Sequence, residues 1–273
     1  MTKKSPEEVA RGILNASGYP FQMAVEAEIR RTQDKHGWKI RSHEHPWISG
    51  SNEEGFIDIV IEKVFEQHVI AQAVIECRRR KDPAWVFPIS TERVHKRSQP
   101  VLFCMRKSRG METGWVSCHI DPDPPRAEFC AMQGTRSEDR TLEGWSQDLL
   151  TSLKACAPQV WQVDGELVLE QCVWPFVPVI VTNVPLVVCD LPASEVSLET
   201  GELPKAGKFL GVDWLCFHKP LDAGYPGEKM TELSDLRRVN ERSILVANAS
   251  KIADVLSTWR FTYPIWPLTR RGA

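Results

Sequence analysis

Two carboxylates, Asp58 and Glu76, stand in segments whose spacing can bring them together. Asp58 lies in Gly55-Phe56-Ile57-Asp58-Ile59-Val60-Ile61-Glu62 and Glu76 in Val69-Ile70-Ala71-Gln72-Ala73-Val74-Ile75-Glu76-Cys77-Arg78, both of which alternate as β-strands do. A three-residue loop, Glu66-Gln67-His68, pairs Ile59 with Ile75 and Ile61 with Ala73 on one side of the hairpin. Asp58 then stands opposite Glu76 on the other side. Directly opposed residues have Cβ atoms about 4.5–5.5 Å apart, within reach of one shared cation. Two carboxylates this close repel when ionised, so a metal, a shared proton or an arginine must stabilise them. Mg²⁺ suits the pair because it takes hard oxygen ligands and keeps waters, one of which can serve as a nucleophile. The alternative is structural, with Asp58 a strand-edge residue and Glu76 the ion-pair partner of a following arginine.

The elements around the pair read as a mixed α/β core. Ser5-Pro6-Glu7-Glu8 has the form of a helix start, since Ser can cap, Pro fits the first helical position and Glu8 can complete a capping box. That helix is expected to end near Gly18. Pro20 opens a second helix with Phe21, Val25 and Ile29 at helical spacing, Gln22 and Glu26 on one stripe, and Gly37 as its stop. Trp38 to Arg41 begins a three-strand meander. Residues 100 to 135 read as a less regular β insertion around Asp121-Pro122-Asp123-Pro124-Pro125. Leu142, Trp145, Leu149 and Leu153 mark a helix from about 138 to 157. Val177–Thr182 and Leu186–Asp190 look like paired strands joined at Asn183. A last strand around Ile244–Ala247 and a helix from Asn248 to Trp259, with Ser250 as its cap, form a C-terminal extension. The order predicts one domain over residues 1–273, a mixed sheet flanked by helices.

Composition excludes several classes. With 273 residues and 42% apolar content the chain can fill a large core, so global disorder is excluded. The 34 basic and 36 acidic residues nearly balance, and any nucleic-acid contact must be local. Eight scattered cysteines without a CxxC pair read as reduced thiols, and no apolar run approaches the ~18 residues of a membrane span. A cytoplasmic protein is the expectation. There is no Gly-rich phosphate loop and no GxSxG element, so ATP hydrolysis and serine-hydrolase chemistry lack support.

A helix bearing an acidic residue, then Gly55-Phe56-Ile57-Asp58, then Ile75-Glu76-Cys77-Arg78 before an aromatic-rich loop, resembles the PD-(D/E)XK nuclease superfamily of restriction-endonuclease-like folds. Gly18-Tyr19-Pro20-Phe21 and Gly37-Trp38-Lys39-Ile40 look like the lead-in of its bacterial members, and the likeness covers residues 18 to 89. It implies that Asp58, Glu76 and the Cys77 carbonyl hold Mg²⁺ or Mn²⁺ and that the substrate is DNA, cut in restriction, repair or antiviral defence. Two positions depart from the pattern. Arg78 stands where the family has Lys; it stays protonated and cannot act as a base, though it can hold a phosphate oxygen. Gln22 stands where many relatives have Glu, and Glu26, one turn on, is the expected replacement, in preference to Glu28.

Arg79, Arg80 and Lys81 extend a basic run beside the acids and are expected to seat nucleic-acid phosphates. Trp85 and Phe87 are read as core residues rather than base-stacking groups. His43, Glu44 and His45 are read as a loop cluster, and Cys118, His119 and Asp121 are similarly weak as a metal site. The leading function is therefore a metal-dependent deoxyribonuclease. A lapsed nuclease-fold subunit that binds nucleic acid, a partner protein or its own copies is the second, and an unrelated α/β binding protein the third.

Overall fold

The computed structural model describes residues 5–65, 69–89, 99–107, 111–133, 141–164, 172–203, 207–221 and 240–261. Helix α1 (Pro6–Ser17) starts on a capping box, in which Ser5 Oγ accepts from the Glu8 amide and the Glu8 carboxylate accepts from the Ser5 amide. Gly18, at φ 84°, turns the chain left-handed into α2 (Tyr19–Arg31), which buries Gln22, Val25 and Ile29. A single turn, α3 (Gln33–His36), follows and stops at Gly37, at φ 74°.

Strands β1 (Lys39–Ile48), β2 (Glu54–Phe65) and β3 (Val69–Arg78) form the antiparallel meander, with Ile59 paired to Ile75 and Ile61 to Ala73. The connecting loop Glu66–His68 lies outside the described residues. Next come β4 (Trp85–Ile89), the hairpin β5 (Val101–Lys107) and β6 (Met111–Ser117), and the short strands β7 (Ile120–Asp121), β8 (Arg126–Ala127) and β9 (Ala131–Met132). Helix α4 (Leu142–Asp164) leads to β10 (Val173–Thr182) and β11 (Leu186–Asp190). The chain continues through β12 (Lys208–Val212), β13 (Trp214–Pro220), β14 (Glu241–Asn248), α5 (Ile252–Thr258) and β15 (Arg260–Phe261).

Among the described residues the central sheet has nine strands, ordered β1-β2-β3-β10-β14-β13-β8, with β5 and then β6 attached at β10. Strand β10 runs parallel to β3 and to β14, and all ten of its residues are buried. A central parallel strand covered on both faces reads as a continuous apolar run. One face of the sheet packs Ile59, Ile61, Ala73, Ile75, Val179 and Val181 against Val25 and Ile29 of α2 and Ile252, Val255 and Leu256 of α5. The other packs Val60, Val74, Phe176 and Ile180 against Leu142, Trp145, Leu149 and Leu153 of α4. A second sheet, β12-β11-β4-β9, closes the α4 side.

Five expectations are corrected. The segment read as a β insertion contributes β5 to the central sheet, where Phe103–Arg106 pair antiparallel with the first half of β10. Strands β10 and β11 do not pair with each other: the turn at Asn183 carries the chain from the central sheet into the second one, where β11 lies between β4 and β12. His43, Glu44 and His45 belong to strand β1, not to a loop. Helix α4 continues through Pro158 to Asp164, past the expected end. At the C-terminus Asn248, not Ser250, caps the final turn, its side chain accepting from the Ser250 amide.

Candidate active site

The antiparallel ladder of β2 and β3 runs from Phe65 with Val69 to Ile59 with Ile75, and one step further its register sets Asp58 against Glu76. There the ladder opens. The Cys77 amide donates to Asp58 Oδ2 at 2.7 Å, so the carboxylate takes the place of a strand carbonyl. On the other side of β2, His43 pairs with Ile59 and His45 with Ile57, which leaves Glu44 across from Asp58. Glu44, Asp58 and Glu76 therefore form one acidic row across three strands.

The side chains leave this row in different directions. Glu76 and Arg78, two residues apart on β3, form an ion pair and face α4, where they line a cleft of about 310 Å³ with Trp47, Glu54, Asp148 and Thr151. The Arg78 guanidinium lies 5.7 Å from the Trp145 ring centroid, and its buried Nε has no hydrogen-bond acceptor among the described residues. Glu44 sits at φ 46° and accepts from Nε2 of the buried Gln22, which lies 3.3 Å from the Asp58 carbonyl as a second acceptor. The helix residue that touches the acidic row is thus Gln22 itself. Glu26, one turn on, binds Arg30 at 2.7 Å and lies 3.7 Å from His43 Nδ1. It does stand on the sheet side of α2, where its charge helps to raise the Cys77 thiol, whereas Glu28 is turned to Arg31.

Burial pushes the Asp58 carboxyl above its ordinary range. The Cys77 amide and the Arg78 charge oppose that rise and Glu44 adds to it, yet desolvation is the largest cause and the net direction is upward. Among the described residues no three His, Cys, Asp or Glu side chains converge as a complete metal cage. A cation here would accordingly take two carboxylates, a main-chain oxygen such as that of Cys77, and waters, which is how Mg²⁺ is commonly held. Carboxylate and carbonyl oxygens are the kind of donor a hard divalent ion takes.

The basic run divides between two faces. Arg79 donates to the Asn15 carbonyl at the end of α1 and, with Lys81, Gly12 and Ala16, lines a groove of about 490 Å³. Arg80 is held by its backbone, its amide donating to Asn183 Oδ1 at 2.8 Å and its carbonyl accepting from Asn183 Nδ2 at 2.9 Å. Its guanidinium reaches Asp82 at 3.3 Å and Trp145 at 5.8 Å. Trp85 and Phe87 are fully buried, and Trp85 stacks on Trp145 at 5.7 Å. His45 turns to Gln159 of α4 while His43 turns to Glu26 of α2, so the two do not share a site.

Sequence reasoning missed Glu44 as a neighbour of Asp58 and missed a Ser-His-Glu chain. His218 Nδ1 lies 2.8 Å from Ser243 Oγ and its Nε2 lies 3.3 Å from Glu241. That chain has the partners of a hydrolytic triad, but Ser243 is fully buried and its oxygen already accepts the Val101 amide at 2.8 Å. It ties β5 to β14 and β13. Comparison of the chain with protein-family models, with curated proteins and with solved structures gives no match.

Proposed function

We propose that this chain is a metal-dependent nuclease with a restriction-endonuclease-like core, hydrolysing DNA phosphodiester bonds at Asp58 and Glu76. The observation that carries the reading is the open end of the β2–β3 ladder, where Asp58 and Glu76 occupy facing backbone positions and Asp58 is buried with its carboxyl pushed upward. The element order supports it: a helix, an antiparallel meander, the long helix α4, and a strand parallel to β3. A bound Mg²⁺ or Mn²⁺ would supply charge neutralisation at the phosphate and a more acidic water. The chain's own groups do the rest. Asp58 and Glu76 would hold the ion, and the Cys77 amide fixes the rotamer of Asp58. Gln22 joins α2 to the row, through Glu44 and the Asp58 carbonyl. Arg78 stays protonated, so it takes no proton and instead donates to a phosphate oxygen. Reduced cysteines fit a cytoplasmic setting, in restriction, repair or defence.

The ion pair between Arg78 and Glu76 favours a second reading, in which the site has lapsed and the chain binds nucleic acid or a partner protein as a subunit. Incubation with linear, circular and single-stranded DNA in Mg²⁺ or Mn²⁺ separates the two. The nuclease reading expects cleavage that EDTA stops and that Asp58→Ala and Glu76→Ala each abolish. Cleavage that persists in EDTA or without Asp58 refutes the mechanism. An inert wild type together with an active Arg78→Lys favours the lapsed subunit.

A further inference from the structure

Helix α1 carries a stripe of apolar and small side chains, Pro6, Val9, Ala10, Ile13 and Ser17, at the spacing of an amphipathic helix, with Leu14 beside it. The fold turns that stripe away from the protein. The other flank, Gly12, Asn15 and Ala16, faces the groove of Arg79 and Lys81, and Arg79 ties down the helix end by donating to the Asn15 carbonyl. Not one residue of α1 is buried: Val9 is 47% exposed, Ile13 66% and Leu14 57%. A helix of 12 residues is marginal on its own in water and takes most of its stability from packing an apolar face. No described residue buries this one.

The distribution of charge along α1 selects the occupant. Glu7 and Glu8 stand in its first turn, while its far end has no basic residue of its own and is bordered instead by Arg79, Arg80 and Lys81. The helix is thus negative at its start and flanked by positive charge at its end. A two-fold axis level with Arg11 and Gly12 sets Ala10 of each copy against Ile13 of the other and brings the acidic start of each helix level with the basic end of its partner. The two helix dipoles then oppose each other as well. A parallel pair would instead set acid beside acid and base beside base. A membrane surface is disfavoured, because anionic lipid calls for Lys and Arg on the polar face, where α1 has Glu7, Glu8 and only Arg11. We infer that the apolar stripe of α1 is the core of a two-fold homodimer, packed antiparallel against α1 of a second copy. A pair of helices each about 18 Å long buries less than the ~1,200 Å² of a standard interface, so the dimer is reversible. It forms whether or not Asp58 and Glu76 cut DNA.

Sedimentation velocity of the full chain across about 1 to 200 μM brackets the micromolar dissociation constant expected of so small an interface. The mass should rise with concentration from 31.0 kDa towards twice that. Each dimer carries a substitution twice, so Ile13→Asp should raise the dissociation constant by at least about 100-fold. Ile13→Ser, the gentler change, should raise it by about 10-fold or more. Ile13 is exposed in a single copy, so both variants should fold, which circular dichroism establishes. Glu7→Lys should weaken the dimer in the same direction. Crosslinking reads the orientation, with the native thiols as the control: Ala10→Cys and Ile13→Cys chains, mixed under mild oxidation, should join to each other. Ser17→Cys should not join to itself, because antiparallel packing leaves the two copies of that position about 16 Å apart along the axis. A chain that stays monomeric at the highest concentration, a dimer that folded Ile13 variants leave intact, or Ser17→Cys joining in preference to the Ala10 and Ile13 mixture would overturn the inference. Binding of a monomeric chain to phosphatidylserine vesicles, lost in Ile13→Asp, would give the face to lipid and overturn it equally.

Discussion

Replacing Asp58 by Asn should stabilise the metal-free protein at pH 8, and replacing it by Ala should not. Asn has the shape of the neutral acid and keeps an oxygen for the Cys77 amide, now 2.7 Å from Asp58 Oδ2. The ionised carboxylate is disfavoured by burial and by Glu44 more than it is favoured by the Cys77 amide and Arg78, because its pKa is raised. A raised carboxyl pKa means that stability is fully present below the unfolded pKa and is lost as pH rises through the folded one. The advantage of Asn over Asp should therefore be largest at pH 8 and shrink as the pH falls through the folded-state pKa of Asp58. Ala removes the acceptor as well and leaves the Cys77 amide unsatisfied, at a cost of about 1–3 kcal/mol relative to Asn. At about 2 °C per kcal/mol for a chain of this size, the Ala variant should melt about 2–6 °C below the Asn variant. Thermal unfolding followed by circular dichroism across pH 4 to 8 reads both. Mg²⁺ should raise the wild-type midpoint and leave the Asn variant unmoved. An Asn variant less stable than wild type at pH 8, or a difference that ignores pH, would refute the electrostatic argument.

Other perturbations address separate parts of the account. If the protein cleaves DNA, Arg78→Lys should preserve or raise the rate, whereas Arg78→Ala should lower it by on the order of 10²–10³, as loss of one transition-state donor does. A single-turnover cleavage assay measures both. Trp85→Ala should cost about 3–5 kcal/mol in chemical denaturation, because the ring is fully buried against Trp145, with its Nε1 donating to Asp82 at 2.9 Å. Asn183→Ala deletes both hydrogen bonds to the Arg80 backbone and should cost about 1–2 kcal/mol in the same assay.

The meander was legible because its alternation is one-sided: Ile59, Ile61, Ala73 and Ile75 all face α2 and α5, and a slip of one residue would expose them. The opposition of Asp58 and Glu76 follows from that register. Strand β10 offered no such guide. Its ten buried residues carry no period, so only its second half, Val177–Thr182, was readable, its neighbours were not, and the adjacent β11 was the wrong partner. Pairing of β5 with β10 joins segments about seventy positions apart in the chain, which local pattern does not encode. Glu44 was hidden by composition. His43-Glu44-His45 is polar because β1 is an edge strand exposed along much of its length, and edge strands resemble loops. Gln22 was seen as a missing acid, although as an amide it can do what a carboxylate could not, donating to both Glu44 and the Asp58 carbonyl.

The central claim is that Asp58 and Glu76 share one divalent cation. Titration with Mn²⁺, followed by electron paramagnetic resonance of the free ion, tests it without reference to any substrate. The account predicts one site per chain, tighter at pH 8 than at pH 5 because binding must displace the proton that burial favours on Asp58, and lost in both Asp58→Ala and Glu76→Ala. Binding that survives either substitution in a folded variant, or no binding by the wild type at pH 8, would contradict it.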